Sequence, residues 1–432
     1  MSELNPLLTL SALDLRDRLA DGRLSAVDLA KACIARIEAR EDDVRAWVWF
    51  DADAVLAEAE RLDALRASGT PLGALHGLPV GVKDVIDTAG IPSENGCPVD
   101  TGRVPEEDAE AVQRLKQAGA IMFGKTVTTE LAFLHPNKTR NPINPDHTPG
   151  GSSSGSAAAV ADGMVPLAIG TQTGGSVVRP ASFCGIVGLK PSFDAIPRKG
   201  SLLQSHSLDT LGVFANDPAG AALLAAVLTG DHAGIPEPAV SPHFGFVTPP
   251  GWDRADPVLH EAFDRLRAAL GDRVSSLSLP DGFDDVVRLR AVINTVEMGH
   301  HFQRYLELGA DKLGPPTRAA IEEGLTLTAV DYLAAKAFQE EMDVLLAPLF
   351  DRCDAILCPA ALGPAPAGLG STGDSIFNGL WTMAGTPAIT LPLFEAPGGL
   401  PMGAQLVAAR GEEKALVSVA QWLWDWSKET NQ

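Results

Sequence analysis

The stretch 150–190, GGSSSGSAAAVADGMVPLAIGTQTGGSVVRPASFCGIVGLK, constrains this chain more than any other. It holds two Gly- and Ser-rich turns, with Ser152 on the first and Ser176 on the second. Between them, 157–161 is a run of small residues that suits a tightly packed helix, and 165–169 is an apolar run of strand length. Glycine beside serine lets backbone N–H groups approach a ligand closely and take positive φ at no Cβ cost. A serine on such a turn is either a nucleophile beside an oxyanion hole or a plain loop serine. Two such turns joined by a helix and a strand weaken the plain-loop reading considerably.

The rest of the chain is arranged around that stretch. Residues 1–70 read as helices, with Ser11 and Ser25 as N-caps and Asp28 completing a capping-box-like pattern. Val27, Ala30, Ile34 and Ile37 recur at helical spacing, and 51–66 forms a third helix with Val55, Ala59, Leu62 and Leu65 on one face. A strand at 78–82 delivers Lys83, a helix covers 108–118, and a strand follows at 120–123. Helices and short apolar strands alternate through 188, which argues for an α/β layer structure around a mixed sheet. A Pro-rich segment, 235–250, comes next; strands at 244–247 and 274–279 flank a helix at 257–270, and the chain then reads as helical to 351. Sheet-like sequence returns at 355–358 and 388–393, so the Pro-rich segment reads as a crossover within one domain, 1–432. Its parts are N-terminal helices (1–70), a core (71–215), a mostly helical section (235–350) and a return to the sheet (355–432). The Gly/Pro/Ala stretch 360–373 reads as a long loop, and such loops are often functional.

Composition removes several classes. The formal charge is −21, from 34 basic and 55 acidic residues, and no Lys/Arg run stands out, so nucleic-acid binding is not expected. Five cysteines, Cys33, Cys97, Cys184, Cys353 and Cys358, are odd in number and follow no CxxC spacing, which fits reduced, buried thiols and no metal site. Neither a signal sequence nor an apolar run of about 18 residues is visible. The expectation is a soluble cytoplasmic protein without a membrane partner.

Two motif matches compete with the serine turns. Gly119-Ala-Ile-Met-Phe-Gly124-Lys125-Thr126 fits GxxxxGK[ST], but a P-loop needs a strand before its first Gly and a helix after its Lys. Here a helix precedes Gly119 and the middle residues suit a buried strand, so Lys125 reads as structural. Gly151-Ser-Ser153-Ser-Gly155 fits the GxSxG nucleophile elbow, which needs an acid and a histidine later in the chain. His206, His232, His243, His260, His300 and His301 follow, none in a telling motif.

GGSSSGS followed by GTQTGGSVVRPASFCGIVGLKP resembles the signature of the amidase signature family of serine hydrolases. LHGLPVGVKDVIDTAG at 75–90, NPINPDHTPGG at 141–151, NGLWTMAGTPAITLP at 378–392 and GLPMGAQLVA at 399–408 are also similar to that family's phrasing. The resemblance implies the amidase signature fold, a large mixed sheet covered by helices on both faces. It implies a linear-amide hydrolase with no cofactor. By motif position Ser176 is the nucleophile, Ser152 a bridging serine in a cis peptide, and Lys83 the general base, with the N–H groups of Thr173, Gly174, Gly175 and Ser176 as the oxyanion hole. The chemistry is sound in itself: a serine hydroxyl needs a base, and a lysine serves once burial strips its charge. Leu78, Pro79, Val80 and Val82 precede Lys83, and strand alternation turns Asp84 away from it.

The chain departs from the family beside the nucleophile. Gln172 stands where an Asp is common, Val178 where an Arg is common, and Arg179 one place later. Family members line the substrate pocket just before the first serine turn and before the C-terminal motif. Those positions offer Leu131, Phe133 and His135, then Phe377, Leu380 and Trp381. With no Arg or Lys among them, neutral amides or anilides are expected ahead of glutamine or malonamate. The alternatives are the glutamine-hydrolysing subunit of an amidotransferase and, more weakly, a nucleotide-binding protein through 119–126. A homodimer is left open.

Overall fold

The computed structural model describes residues 5–231, 234 and 236–430. His232 and Ile235 lie outside them.

One sheet of 11 strands runs through the described residues. In chain order the strands are β1 (Trp47–Phe50), β2 (Pro79–Lys83), β3 (Ile121–Thr126), β4 (Leu167–Gln172), β5 (Val187–Lys190) and β6 (Thr210–Ala215). They continue with β7 (Phe244–Val247), β8 (Val274–Leu277), β9 (Ala355–Pro359), β10 (Ala388–Glu395) and β11 (Pro401–Val407). Their order across the sheet is β1-β3-β2-β4-β6-β5-β10-β11-β9-β7-β8. Strand β2 is parallel to both β3 and β4, whereas β4, β6, β5, β10, β11 and β9 alternate in antiparallel pairs. The sheet is therefore mixed, and every residue of β2, β4, β5 and β6 is buried.

Helices cover both faces. The first part of the chain supplies α1 (Ala12–Asp21), α2 (Ala26–Val44), α3 (Ala52–Ala67), α4 (Glu110–Gln117), α5 (Ser154–Ala161), α6 (Val178–Cys184) and α7 (Pro218–Thr229). The remainder supplies α8 (Pro257–Leu270), α9 (Val286–Gly309), α10 (Pro315–Gly324), α11 (Ala329–Phe350), α12 (Ile376–Met383) and α13 (Glu413–Thr430). Strand β5 shows the two sides. A Cβ on Gly188 would press on Val177 and Ala181 of the α6 region, whereas Leu189 beside it lines a hollow with Ala222 of α7 and Val417 of α13. Strand side chains alternate in direction, so α6 and α7 lie on opposite faces.

Local chemistry explains most boundaries. Ser11, Ser25, Asp51 and Asp217 accept the N–H three residues on and cap α1, α2, α3 and α7. Several expectations need correction. The 1–70 segment is not purely helical, because Trp47-Val-Trp-Phe50 pairs antiparallel with β3 as an edge strand. Its aromatic and β-branched residues favour a strand, but four residues between two helices give too little pattern to see. Strand β3 runs on to Thr126, β4 to Gln172 and β9 to Pro359, while β8 stops at Leu277. Strands β7 and β8 extend the same sheet, beyond β9. None of the five cysteines is in a disulfide, and Cys353 is only partly buried. No described helix is long and apolar enough to cross a membrane.

Gly155 docks α5 onto the end of β3. Its N–H donates to Val127 O at 2.9 Å, and a Cβ there would stand 2.3 Å from both Ala46 O and Val127 N. Backbone on two sides cannot yield as a side-chain tip does. Gly155→Ala is therefore expected to lose at least about 3 kcal/mol, the upper end for overpacking. Denaturant unfolding checks this, and an unchanged midpoint would refute it.

Candidate active site

Strand β2 ends on Lys83, which is 0% exposed. Its neighbour β4 runs parallel to it and brings Thr171 alongside. Lys83 Nζ donates to Thr171 Oγ1 at 2.8 Å and to Ser152 Oγ at 2.7 Å. Ser152 closes the turn before α5, and the Gly151–Ser152 peptide is cis. Burial holds the Lys83 amine well below its ordinary value, opposed only by the charge of Asp209. Asp84 does not face it; Asp84 Oδ1 lies 3.9 Å from Lys125 Nζ, and Oδ2 accepts from Glu94 N.

After β4 the chain turns through Thr173–Ser176 into α6. Among the described residues no hydrogen bond engages the N–H groups of Gly174, Gly175 and Ser176 or the Ser176 hydroxyl. The two serine turns lie against each other: Arg179, three residues beyond Ser176, donates to Gly151 O at 2.7 Å. No hydrogen bond joins Ser152 to Ser176 in this structure. Such contacts are often loose without substrate.

The second turn is clamped by groups from distant sequence. Gln172 Oε1 accepts from Val177 N and Val178 N at 2.8 and 3.0 Å, tying down the start of α6. Its amide donates to Thr382 Oγ1 at 3.0 Å, and Thr382 Oγ1 donates to Gly174 O at 2.8 Å. The unusual glutamine thus supports the turn from both ends, and Arg179 supports the first turn instead of the second. Thr173 Oγ1 donates to Asp209 Oδ1 at 2.5 Å, and Gln204 N and Ser205 N donate to Oδ2. Burial pushes Asp209 up to about 6 against those hydrogen bonds. A Cβ on Gly175 would stand 2.3 Å from Asn378 Oδ1, and the Asn378 amide is held by Ala360 O at 2.9 Å.

The expected pocket residues divide. His135 lines a cleft of about 730 Å³ whose walls include Arg290, Thr372, Asp374 and Ser375. Thr372 lies over Gly151, while Ser375 and Arg290 lie over Gly174, so the cleft reaches both turns. Leu131 is buried with α9 and α10, in a cluster against which Phe133 packs. Phe377 and Trp381 are 1% and 0% exposed and belong to the cores; with Leu380 they do not line the cleft. The reason is which stripe of α12 faces inward. Phe377, Leu380, Trp381 and Ala384 form the apolar stripe, and Ser375, Asn378 and Thr382, at i, i+3 and i+7, form the polar one that meets the serine turn. Sequence reasoning chose the apolar stripe and missed the polar one. It also missed Arg290 and Asp209, which stand in no pattern that marks them.

The competing motifs resolve on geometry. Ala120–Phe123 does not loop around a phosphate, because 121–126 is strand β3. Lys125 Nζ points inward to Ile86 O and to Ser93 Oγ, and burial lowers it to about 8. Ser153 Oγ is fully buried and bonded to Thr171 O at 3.1 Å, and no described histidine hydrogen-bonds to the turn. His301 lines a different hollow, with Asp87 and Arg103.

The structure thus places a buried amine against a turn serine, beside backbone N–H groups that no described residue engages. A family model described as Amidase matches residues 28–417. The chain is 30% identical to a glutamyl-tRNA(Gln) amidotransferase subunit from Cyanothece sp., covering 95% of this chain and 96% of that one. It superposes on an amidase crystal structure with TM-score 0.88 and 31% identity, covering 96% of this chain and 100% of that one. It superposes on the peptide amidase of Stenotrophomonas maltophilia with TM-score 0.81 and 26% identity, covering 98% of each. The chain belongs to the amidase family.

The electrostatics make a direct prediction. The Asp209 charge favours the ammonium, so removing it favours the neutral amine. A 13Cε NMR titration, assigned with Lys83→Met, should show Lys83 deprotonating well below 10.5, and at still lower pH in Asp209→Asn. An upward shift in Asp209→Asn would contradict this.

Proposed function

We propose that this protein hydrolyses the C–N bond of a small carboxylic amide through an acyl-enzyme on Ser176. The observation that carries the reading is the desolvated Lys83 amine hydrogen-bonded to Ser152, in the chain of an amidase family member. As a neutral amine, Lys83 accepts a proton from Ser152, and Ser152 takes one from Ser176 as that hydroxyl attacks the carbonyl. The N–H groups of Thr173, Gly174, Gly175 and Ser176 receive the oxyanion, each such donor being worth about 10²–10³ in rate. The relay returns the proton to the leaving nitrogen, and water then cleaves the ester by the same path.

A fluorophosphonate probe is expected to add once, at Ser176, by peptide mass spectrometry. Amide turnover should rise with pH along a limb set by loss of the Lys83 proton, and Lys83→Ala should remove that limb with most of the rate. Labelling at Ser153, or near-normal turnover in Lys83→Ala, would reject the assignment.

A second reading has one observation in its favour: similarity to a glutamyl-tRNA(Gln) amidotransferase subunit over nearly the whole chain. Glutamine turnover that depends on a copurifying partner chain would favour it; hydrolysis of simple amides by the isolated chain favours a stand-alone enzyme.

Gly175→Ala should lower kcat by about 10²-fold or more, because a side chain meeting Asn378 displaces the oxyanion donors. A loss smaller than about tenfold would show that the turn tolerates the displacement.

A further inference from the structure

Arg290 comes from α9, far from the diagnostic motifs, yet it reaches the serine turn. A Cβ on Gly379 would stand 2.5 Å from its Nε, and one on Gly174 3.4 Å from its Nη1. The side chain therefore crosses α12 where there is no side chain and ends beside the oxyanion turn. It is partly exposed, in the wall of the cleft that reaches Ser152 and Ser176.

This cation is short of a partner. Among the described residues the Arg290 guanidinium makes no hydrogen bond and no ion pair. The nearest carboxylate in the cleft, Asp374, is already paired to Arg254 at 2.7 Å. The charge of Arg290 disfavours that of Arg179, and among the described residues Asp374 is the opposite charge that acts on both. Burial weighs against the charge of each. A guanidinium stays ionised under such pressure, so its charge remains to be met. In a chain of net charge −21, three arginines around one aspartate at this cleft form a local positive excess.

We infer that Arg290 is a specificity-determining residue that receives a carboxylate carried by the amide substrate. The inference rests on the amide-hydrolase reading of the same site. The planar fork of the guanidinium matches a carboxylate with two parallel hydrogen bonds. Gly174 precedes Ser176 by two residues, at most about 7 Å of chain. The carboxylate and the scissile carbonyl are thus separated by a short spacer of a few carbons. The sequence-based preference for neutral amides came from Leu131, Phe133, His135, Phe377, Leu380 and Trp381, of which only His135 lines the cleft.

The test separates binding from turnover. Malonamate, succinamate and glutaramate are each compared with the matching diamide for binding to the Ser176→Ala protein by calorimetry. At least one carboxylate should bind about tenfold or more tightly than its diamide, a gap of about 1.4 kcal/mol. That gap should shrink to within about threefold when Arg290→Met is added, and recover in part with Arg290→Lys, which keeps the charge but not the fork. In the unmutated enzyme the same preference should appear in KM more than in kcat. Equal binding of every pair, or a preference that survives Arg290→Met, overturns the inference. Carboxylate binding that depends on Arg290, without hydrolysis by the unmutated enzyme, would reject the amide-hydrolase reading and leave the recognition role standing.

Discussion

The dry placement of the Lys83 amine is the constraint on which the rest of this structure depends. Ionised and unpaired at that depth, an ammonium would cost several kcal/mol. The fold answers with two neutral oxygens, Ser152 Oγ and Thr171 Oγ1, and with a single carboxylate, Asp209, whose field reaches the amine. The result favours a neutral amine. It needs a strand that ends on lysine, a parallel neighbour that offers a hydroxyl at matching height, and a turn that presents serine from above. Strands β2 and β4 and the turn before α5 meet those needs, with Gly155 letting α5 seat against backbone.

The second serine turn is organised from outside its own segment. Gln172, Thr382 and Gly174 form a continuous hydrogen-bonded path, and Asn378 stands where a side chain on Gly175 would go. Asp209 holds Thr173 from another side. Residues about 200 positions away in sequence thus fix the N–H donors, as |i−j| of 208 and 210 shows for the two Thr382 contacts. Preorganised donors matter because they need no rearrangement as charge develops. The late return of the chain to the sheet, through β9, α12, β10 and β11, builds the support for a turn made much earlier.

The section between β6 and β9 plays a different part. It adds β7 and β8 at one edge and brings α9 and α10 to the cleft through Arg290 and Pro316. Its contribution to the site is Arg290, carried in over two glycines. The lysine, the two serines and the glycine turns lie together beneath the cleft. The wall above them comes from sequence with no diagnostic pattern.

Much of this was legible in the residues. The alternation of apolar runs with capped helices determined a mixed α/β sheet, because burial of strands and helix stripes is a local, periodic property. Lys83 at the end of an apolar strand and serines on glycine turns marked the groups that the structure brings together, because that signal depends on residue type and immediate neighbours. The four-residue β1 stayed hidden, since its strand character comes from pairing with β3. The face of α12 that meets the site could not be read either. Both stripes have helical spacing, and only the packing of α12 between α9 and the serine turn decides which one points inward. Asp209 and Arg290 gained their places at the site from tertiary structure alone, because a charge acquires its meaning from what surrounds it in space.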